Sequence, residues 1–438
     1  MLFSYRTETI INCSVIEQCV ELSEIFDEWN TYSMQKKLLP RDIDLDAIIE
    51  NSRHKIIAIS GIRRSGKSSI LTLIAQRIVE KGGKCGYVNV EDSRFGEHIN
   101  LLDEILEWFG DEGFLILDEV TSASDWEGWL ARNHELLKGK LCLIVSSSRS
   151  SLATPGKSLR GRTLTYEVFP LSFSEFLRFK NIKIERTTAG KGRVKRAFSE
   201  YLKYGGFPEV VLTDNGIDKV KILASYFRDI IGLDIADISG QDFSTIELFG
   251  RYVLQSSYFS ASKCLNFLKT LGYKIGKEKI LELEKYAETS YLFFFLPIFS
   301  HKVKNRSQYP RKAYPGDAGF CYGMTGKLDY GRIYEVCVFL ELRRNLRGRS
   351  LHYWRNVSGS EVDFLVMEGN ELAMAIQVCY DAEARDTNER ELRGIIDCTE
   401  ECGTARSLII TGSLRKTVVK EGISIEFIPF TDWVLNDK

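Results

Sequence analysis

One short stretch, "SGIRRSGKSS" at Ser60–Ser69, restricts this chain more than any other. The apolar run Lys55–Ser60 reads as a buried strand, and Gly61 opens a loop. From Ser68 onward Ile70, Leu71, Ile74 and Ile78 recur at helical spacing. Inside lies G-x-x-x-x-G-K-S, formed by Gly61, Gly66, Lys67 and Ser68. Such a loop curls its backbone N–H groups toward a phosphate, and the helix that follows adds its positive end. The spacing therefore places ATP on Gly61, Ile62, Arg63, Arg64, Ser65, Gly66, Lys67, Ser68 and Ser69, with Lys67 reaching the β- and γ-phosphates and Ser68 holding Mg²⁺.

A triphosphate site needs a second carboxylate. The run Phe114–Leu117 reads as a buried parallel strand, and Asp118-Glu119 follows at its C-terminal end, where open α/β sheets bind ligands. Asp118 is the expected Mg²⁺ partner and Glu119 the expected base for the attacking water. A third buried strand, "LCLIVSSS", ends in Ser146 and Ser148, candidate γ-phosphate sensors by analogy with P-loop ATPases, the alternative being a simple polar strand end. Arg160 and Arg162 lie a little further on; Arg162 is the candidate catalytic arginine, acting in cis or from a neighbouring subunit, or pairing with Glu167.

Composition narrows the rest. The 438 residues are long enough for several domains, and 44% hydrophobic with 27% charged is ordinary globular usage. The longest apolar candidate, "YLFFFLPIF", is too short to span a bilayer. Arg6, Glu8, Glu17 and Glu21 make the first segment a poor signal peptide, so the expected compartment is the cytoplasm and no membrane partner is expected. The ten cysteines show no paired metal-ligand spacing. The net charge of −1 sets up no global field for nucleic acid, but residues 300–356 hold twelve basic against four acidic side chains. That patch is a candidate contact for a DNA backbone.

The motifs "LPRDI", "GIRRSGKSS", "LILDEVTSASDWEGWL", "SSSRSSL", "LRGRT", "VFPLSFSEFL" and "YLKYGGFPEVV" follow in an order that resembles prokaryotic, mostly archaeal, AAA-type P-loop ATPases. The resemblance implies ATP binding and hydrolysis, a helical lid entered at "YGGFPEVV", and a C-terminal domain of little-known function. On this reading the fold class is α/β. Residues 1–50 are a helical lead-in, with Val15, Leu22 and Phe26 on one side; 51–200 are the ATPase core. Residues 201–300 are the lid and a winged-helix-like domain, with Lys274, Lys277 and Lys279 offset by Glu278, Glu282, Glu284 and Glu288.

Residues 301–438 show an α–β–β–β–α–β order that resembles restriction-endonuclease-like domains. Glu335, Asp363 and Gln377 would converge there, with Cys379 where such nucleases carry lysine. Asp363 keeps its acid, but an amide and a thiol replace a carboxylate and an ammonium. The expectation is a retained fold without cleavage. Function is therefore expected to be that of an ATP-driven machine or switch on DNA, or alternatively of a signalling ATPase that controls protein partners. The sequence leaves oligomerisation open.

Overall fold

The structure, a computed structural model, describes residues 22–96, 98–148, 152, 156–300, 309–381, 385–403 and 406–436. Val15 of the expected lead-in lies outside them. The chain divides into two compact units: residues up to Val168 without Ile62–Ser65, and Phe169 onward together with Ile62–Ser65. The division falls inside the stretch expected as one core, 51–200.

The first unit is built on five parallel strands: β1 (Ile56–Ser60), β2 (Cys85–Asn89), β3 (Gly113–Asp118), β4 (Leu141–Ser147) and β5 (Thr163–Glu167), in spatial order β2-β3-β4-β1-β5. The strand period of two sends alternate side chains to opposite faces. Ile57 and Ile59 join Ile70, Leu71, Ile74 and Ile78 of the helix Lys67–Glu80. Ile56 and Ala58 join Leu102 and Ile105 of the helix Leu101–Phe109, with Leu22 and Phe26, on the other face. Both faces are covered, which is why β1 and β4 read as continuous apolar runs rather than alternating ones.

The second unit opens with helices. Ser172 and Glu175 form a reciprocal cap at the start of Phe173–Phe179. The helix Gly216–Asp229 continues into π-helical turns at Ile230–Ala236. Next come the helix Phe243–Gln255, β6 (Tyr258–Phe259), the helices Ala261–Thr270 and Lys277–Thr289, β7 (Phe293–Leu296) and β8 (Arg311–Pro315). These strands form an antiparallel sheet in the order β6-β8-β7. That sheet crosses the boundary expected at 300/301, because β8 pairs with β7 instead of opening a separate domain.

Beyond it lie the helix Tyr330–Arg344, β9 (Ser350–Arg355), β10 (Glu361–Glu368), β11 (Glu371–Cys379), the helix Arg385–Cys402, β12 (Arg406–Thr411), β13 (Lys416–Lys420) and β14 (Ile423–Pro429). The sheet runs β13-β14-β12-β11-β10-β9. β12 is parallel to β11 and β14; the remaining pairs are antiparallel. The expected strands are present, and β13 is added at one edge.

Candidate nucleotide site and a second polar centre

Sheet order builds the first site. β4 lies between β1, which feeds the glycine loop, and β3, which ends in the acids. The polar end of β4 therefore sits beside Asp118. Ser146 Oγ donates to Asp118 Oδ1, and Tyr87 OH donates to Oδ2 at 2.8 Å. The Ser68 hydroxyl also lies close enough to favour the ionised form of this carboxylate. Burial, then the neighbouring Glu119, pushes the Asp118 carboxyl upward against these three hydroxyls. A buried acid linked to the helix-start serine suits a shared Mg²⁺: Ser68 and Asp118 would hold the ion, which would neutralise phosphate charge.

Glu119 adopts a left-handed backbone conformation, φ 51° and ψ 45°. Its N–H donates to Ser146 Oγ at 3.1 Å. Its carboxylate accepts Ser148 N–H at 2.8 Å and Ser148 Oγ at 2.6 Å. Both candidate sensor serines thus engage the acids: Ser146 bridges Asp118 to the Glu119 backbone, and Ser148 holds the Glu119 side chain.

The glycine loop is tight. Gly61 has φ 154°, and a Cβ there would lie 2.0 Å from the Val168 carbonyl oxygen, so no larger residue fits. Gly66 begins the helix at φ 99°, open only to glycine without strain. Lys67 is buried, with Nζ donating to the Gly61 carbonyl at 3.1 Å. Ser65 N–H closes a turn onto Ile62 O at 3.2 Å. Ser69 lies half-buried in the first turn of the helix. Arg63 and Arg64 were expected among the phosphate-binding residues. Their side chains turn elsewhere, Arg63 to Asp234 and Arg64 to the face of Tyr226, all within the second unit.

Arg162 is not brought to this site. Its carbonyl accepts Ile56 N–H at the N-terminal end of β1, whereas the loop leaves the C-terminal end. Five strand residues separate the two, roughly 16 Å at about 3.3 Å each. An in-cis contact with a γ-phosphate is ruled out by that distance. Arg162 instead donates to Ser158 O at 3.0 Å and lies 3.7 Å from Glu135, not Glu167. Burial lowers His134 nearby.

The second polar centre lies around β10. Asp363 stands opposite Gln377, since Phe364 pairs with Ile376 in the antiparallel ladder. Gln377 Oε1 accepts Asp363 N–H at 2.9 Å, so the carbonyl expected to face a metal is engaged by backbone. Asp363 Oδ2 accepts Val378 N–H at 2.9 Å. Cys379 packs among Leu392, Ile395, Ile396 and Ile409, and burial pushes its thiol up to about 11. It plays no cationic part.

The sequence reading missed the cation that is present. Lys312 on β8, 4% exposed, places Nζ 2.6 Å from Asp363 Oδ1, 2.8 Å from Glu361 Oε1 and 3.2 Å from Glu335 Oε1. Tyr314 OH donates to Glu335 Oε1 at 2.6 Å. Burial opposes the ammonium, yet Asp363 and Glu335 hold it well above the usual lysine range. Burial pushes Asp363 up to about 7 in spite of Lys312, while Lys312 and Arg332 outweigh burial at Glu335 and bring it down. No local signal marks Lys312, because its partners lie 23 to 51 residues away.

The basic patch is thinner than its sequence count. Lys302, Lys304 and Arg306 lie outside the described residues. Lys312 is enclosed as above. Arg344 donates to the Pro170 and Leu171 carbonyls at 2.9 and 3.3 Å and pairs with Glu341. Arg332 donates to Ser256 O and Ala313 O. Arg311 pairs with Glu284, and Arg349 with Glu368. Lys327, Arg347 and Arg355 remain exposed. Among the described residues no helix is long and apolar enough to cross a membrane.

Comparison with known proteins places an AAA domain at residues 53–177. Two further family models, described as domains of unknown function (DUF8612 and DUF4143), match residues 195–329 and 330–433. The uncharacterized protein MJ1544 of Methanocaldococcus jannaschii is 32% identical, the alignment covering 96% of this chain and 97% of that one. An uncharacterized protein of Haemophilus influenzae is 25% identical over 92% of this chain and 100% of its own. Among solved structures, AMPPCP-bound DnaA from Aquifex aeolicus aligns with 56% of this chain and 85% of its own, at 14% identity and a TM-score of 0.27. That overlay is too loose to carry any property across.

Proposed function

The chain belongs to the same family as MJ1544 of Methanocaldococcus jannaschii and contains an AAA-type P-loop domain, and on that premise we propose that it binds ATP with Mg²⁺ and hydrolyses it. The observation that carries this reading is the convergence of Ser68, Ser146 and Tyr87 on Asp118, with Glu119 held next to it. Lys67 and the loop N–H groups take the phosphate charge. Ser68 and Asp118 hold the metal, whose chemistry is to polarise the γ-phosphate. Glu119 orients and deprotonates the water once it leaves Ser148. Arg162 serves only if a neighbouring subunit brings it. ATP turnover by the purified chain, lost in Lys67→Ala, tests the reading; turnover unchanged in that variant refutes it.

Nucleotide state then acts as a switch. The segment from Phe243 to Pro315 runs helix, strand, helix, helix, strand, strand, which supports a winged helix. The later α–β–β–β–α–β order supports a restriction-endonuclease-like domain without cleavage. Lys279 is paired with Glu282 on the helix that would read DNA, and much of the 300–356 patch is used internally. These pairings favour control of protein partners over action on DNA. A salt titration of binding to single- and double-stranded DNA decides between them. Affinity that falls steeply with salt, with a shallower slope after reversing Lys327, Arg347 and Arg355, restores DNA as the partner.

A further inference from the structure

Three carboxylates from two elements meet one ammonium at the second polar centre. Glu361 and Asp363, two apart on β10, share a face; Glu335 comes from the helix Tyr330–Arg344. Lys312 comes from β8, the central strand of its sheet, paired to Tyr258 on one side and Leu296 on the other. The ammonium is therefore delivered by a strand fixed along both edges, not by a mobile arm. The rings of Tyr258 and Tyr353 flank it, their centroids 5.8 and 5.9 Å from Nζ. Carboxylates and aromatic faces together enclose it.

A divalent cation bound by these acids would need the same three oxygens. Of the Nζ–O distances, 2.6 Å matches the upper end of the roughly 2.3–2.6 Å typical of Ca²⁺–oxygen bonds, and 2.8 and 3.2 Å exceed it by a few tenths of an ångström. Side-chain rotation closes a gap of that size. Lysine and metal cannot both occupy the position: the ammonium fills the volume, and its charge repels a second cation.

We propose that Lys312 is the resident cation of this cage, standing where a divalent ion would bind and keeping the centre closed to metal. The cage stands on the contacts above and does not depend on the ATPase reading or on the name of the domain. One substitution should then open it. Lys312→Met keeps an unbranched apolar stem but ends one atom short of the ammonium and removes the charge, leaving three carboxylates around a cation-sized space.

The experiment counts Mn²⁺ bound to the nucleotide-free full chain by electron paramagnetic resonance, with Ca²⁺ as competitor. Wild type and Asp363→Asn should bind the same number, because the cage contributes none. Lys312→Met should gain one Mn²⁺ per chain, displaced by Ca²⁺ and lost in Lys312→Met/Asp363→Asn. If Lys312→Met is unfolded alone, Mn²⁺ or Ca²⁺ should restore its cooperative thermal transition. Three results overturn the proposal: Mn²⁺ lost from wild type on Asp363→Asn, a folded Lys312→Met that gains none, or an unfolded one that divalent ions do not rescue.

Discussion

Replacing Arg63 tests how the glycine loop is anchored. Its guanidinium reaches Asp234 through Nη2–Oδ1 at 2.9 Å and Nε–Oδ2 at 3.1 Å. The Asp234 side chain is 1% exposed and the Arg63 side chain 17%. Removing one partner of a buried pair costs about 3–5 kcal/mol, because the other charge stays out of water. Arg63→Ala should therefore destabilise the second unit by about 3 kcal/mol, roughly a 150-fold loss of local protection. Asp234→Asn keeps the shape and removes the charge, so it should cost about 1.5–3 kcal/mol, the scale of a hydrogen bond to a charged group. The double variant should cost no more than Arg63→Ala alone, giving a coupling of at least about 1 kcal/mol. The assay is native-state hydrogen exchange at amides of residues 216–239, where Asp234 sits in π-helical turns. Additive effects, or protection unchanged in Arg63→Ala, would refute the argument that this ion pair anchors the loop.

Other outcomes follow from the same geometry. Glu119→Gln should retain ATP binding and slow turnover by roughly two decades or more, the scale of a lost general base; single-turnover kinetics at wild-type rate would remove Glu119 from that role. Asp317 accepts Gly206 N–H and Gly319 N–H, each at 2.8 Å, and burial pushes it up to about 7 from 3.8. A raised acid stabilises the fold below its unfolded pKa, and that contribution is lost as pH rises through 7. The stability of wild type relative to Asp317→Asn should thus fall between pH 5 and pH 8, by on the order of 2 kcal/mol; parallel urea-denaturation profiles across that window would contradict it. Arg344→Ala should destabilise the second unit by roughly 2 kcal/mol in thermal unfolding while leaving any DNA affinity unchanged, since its guanidinium is bound to the Pro170 and Leu171 carbonyls.

The glycine loop and the strand-end acids were legible because each is local: strand, turn and helix lie within about 25 residues, and their periods are distinct. The partners of those acids were legible only as polar strand ends. That Ser146 would bridge Asp118 to the Glu119 backbone required the order β3-β4-β1, which no local pattern encodes. Arg162 misled because closeness along the chain to β5 says nothing about which end of the sheet a residue occupies. Around Asp363 the strand register was readable, and the face shared by Gln377 and Cys379 followed from the period of two. Lys312 was not readable: a lone lysine between Arg311 and Ala313 looks like any surface cation until β8 is paired. The same blindness inflated the basic patch, since a linear count cannot tell a guanidinium bound to carbonyls from one in water.

Interposing β4 between the loop strand and the acid strand also fixes an aperture. Two interstrand spacings of about 4.8 Å separate the tips of β1 and β3, about 9.6 Å in all. A phosphate oxygen, a hexacoordinate Mg²⁺ with bonds of about 2.1 Å and one water fit across that width. A direct β1–β3 pairing would halve it. Backbone hydrogen bonds set this width, so side-chain substitutions at Lys67, Asp118 or Glu119 leave the spacing of the strands unchanged.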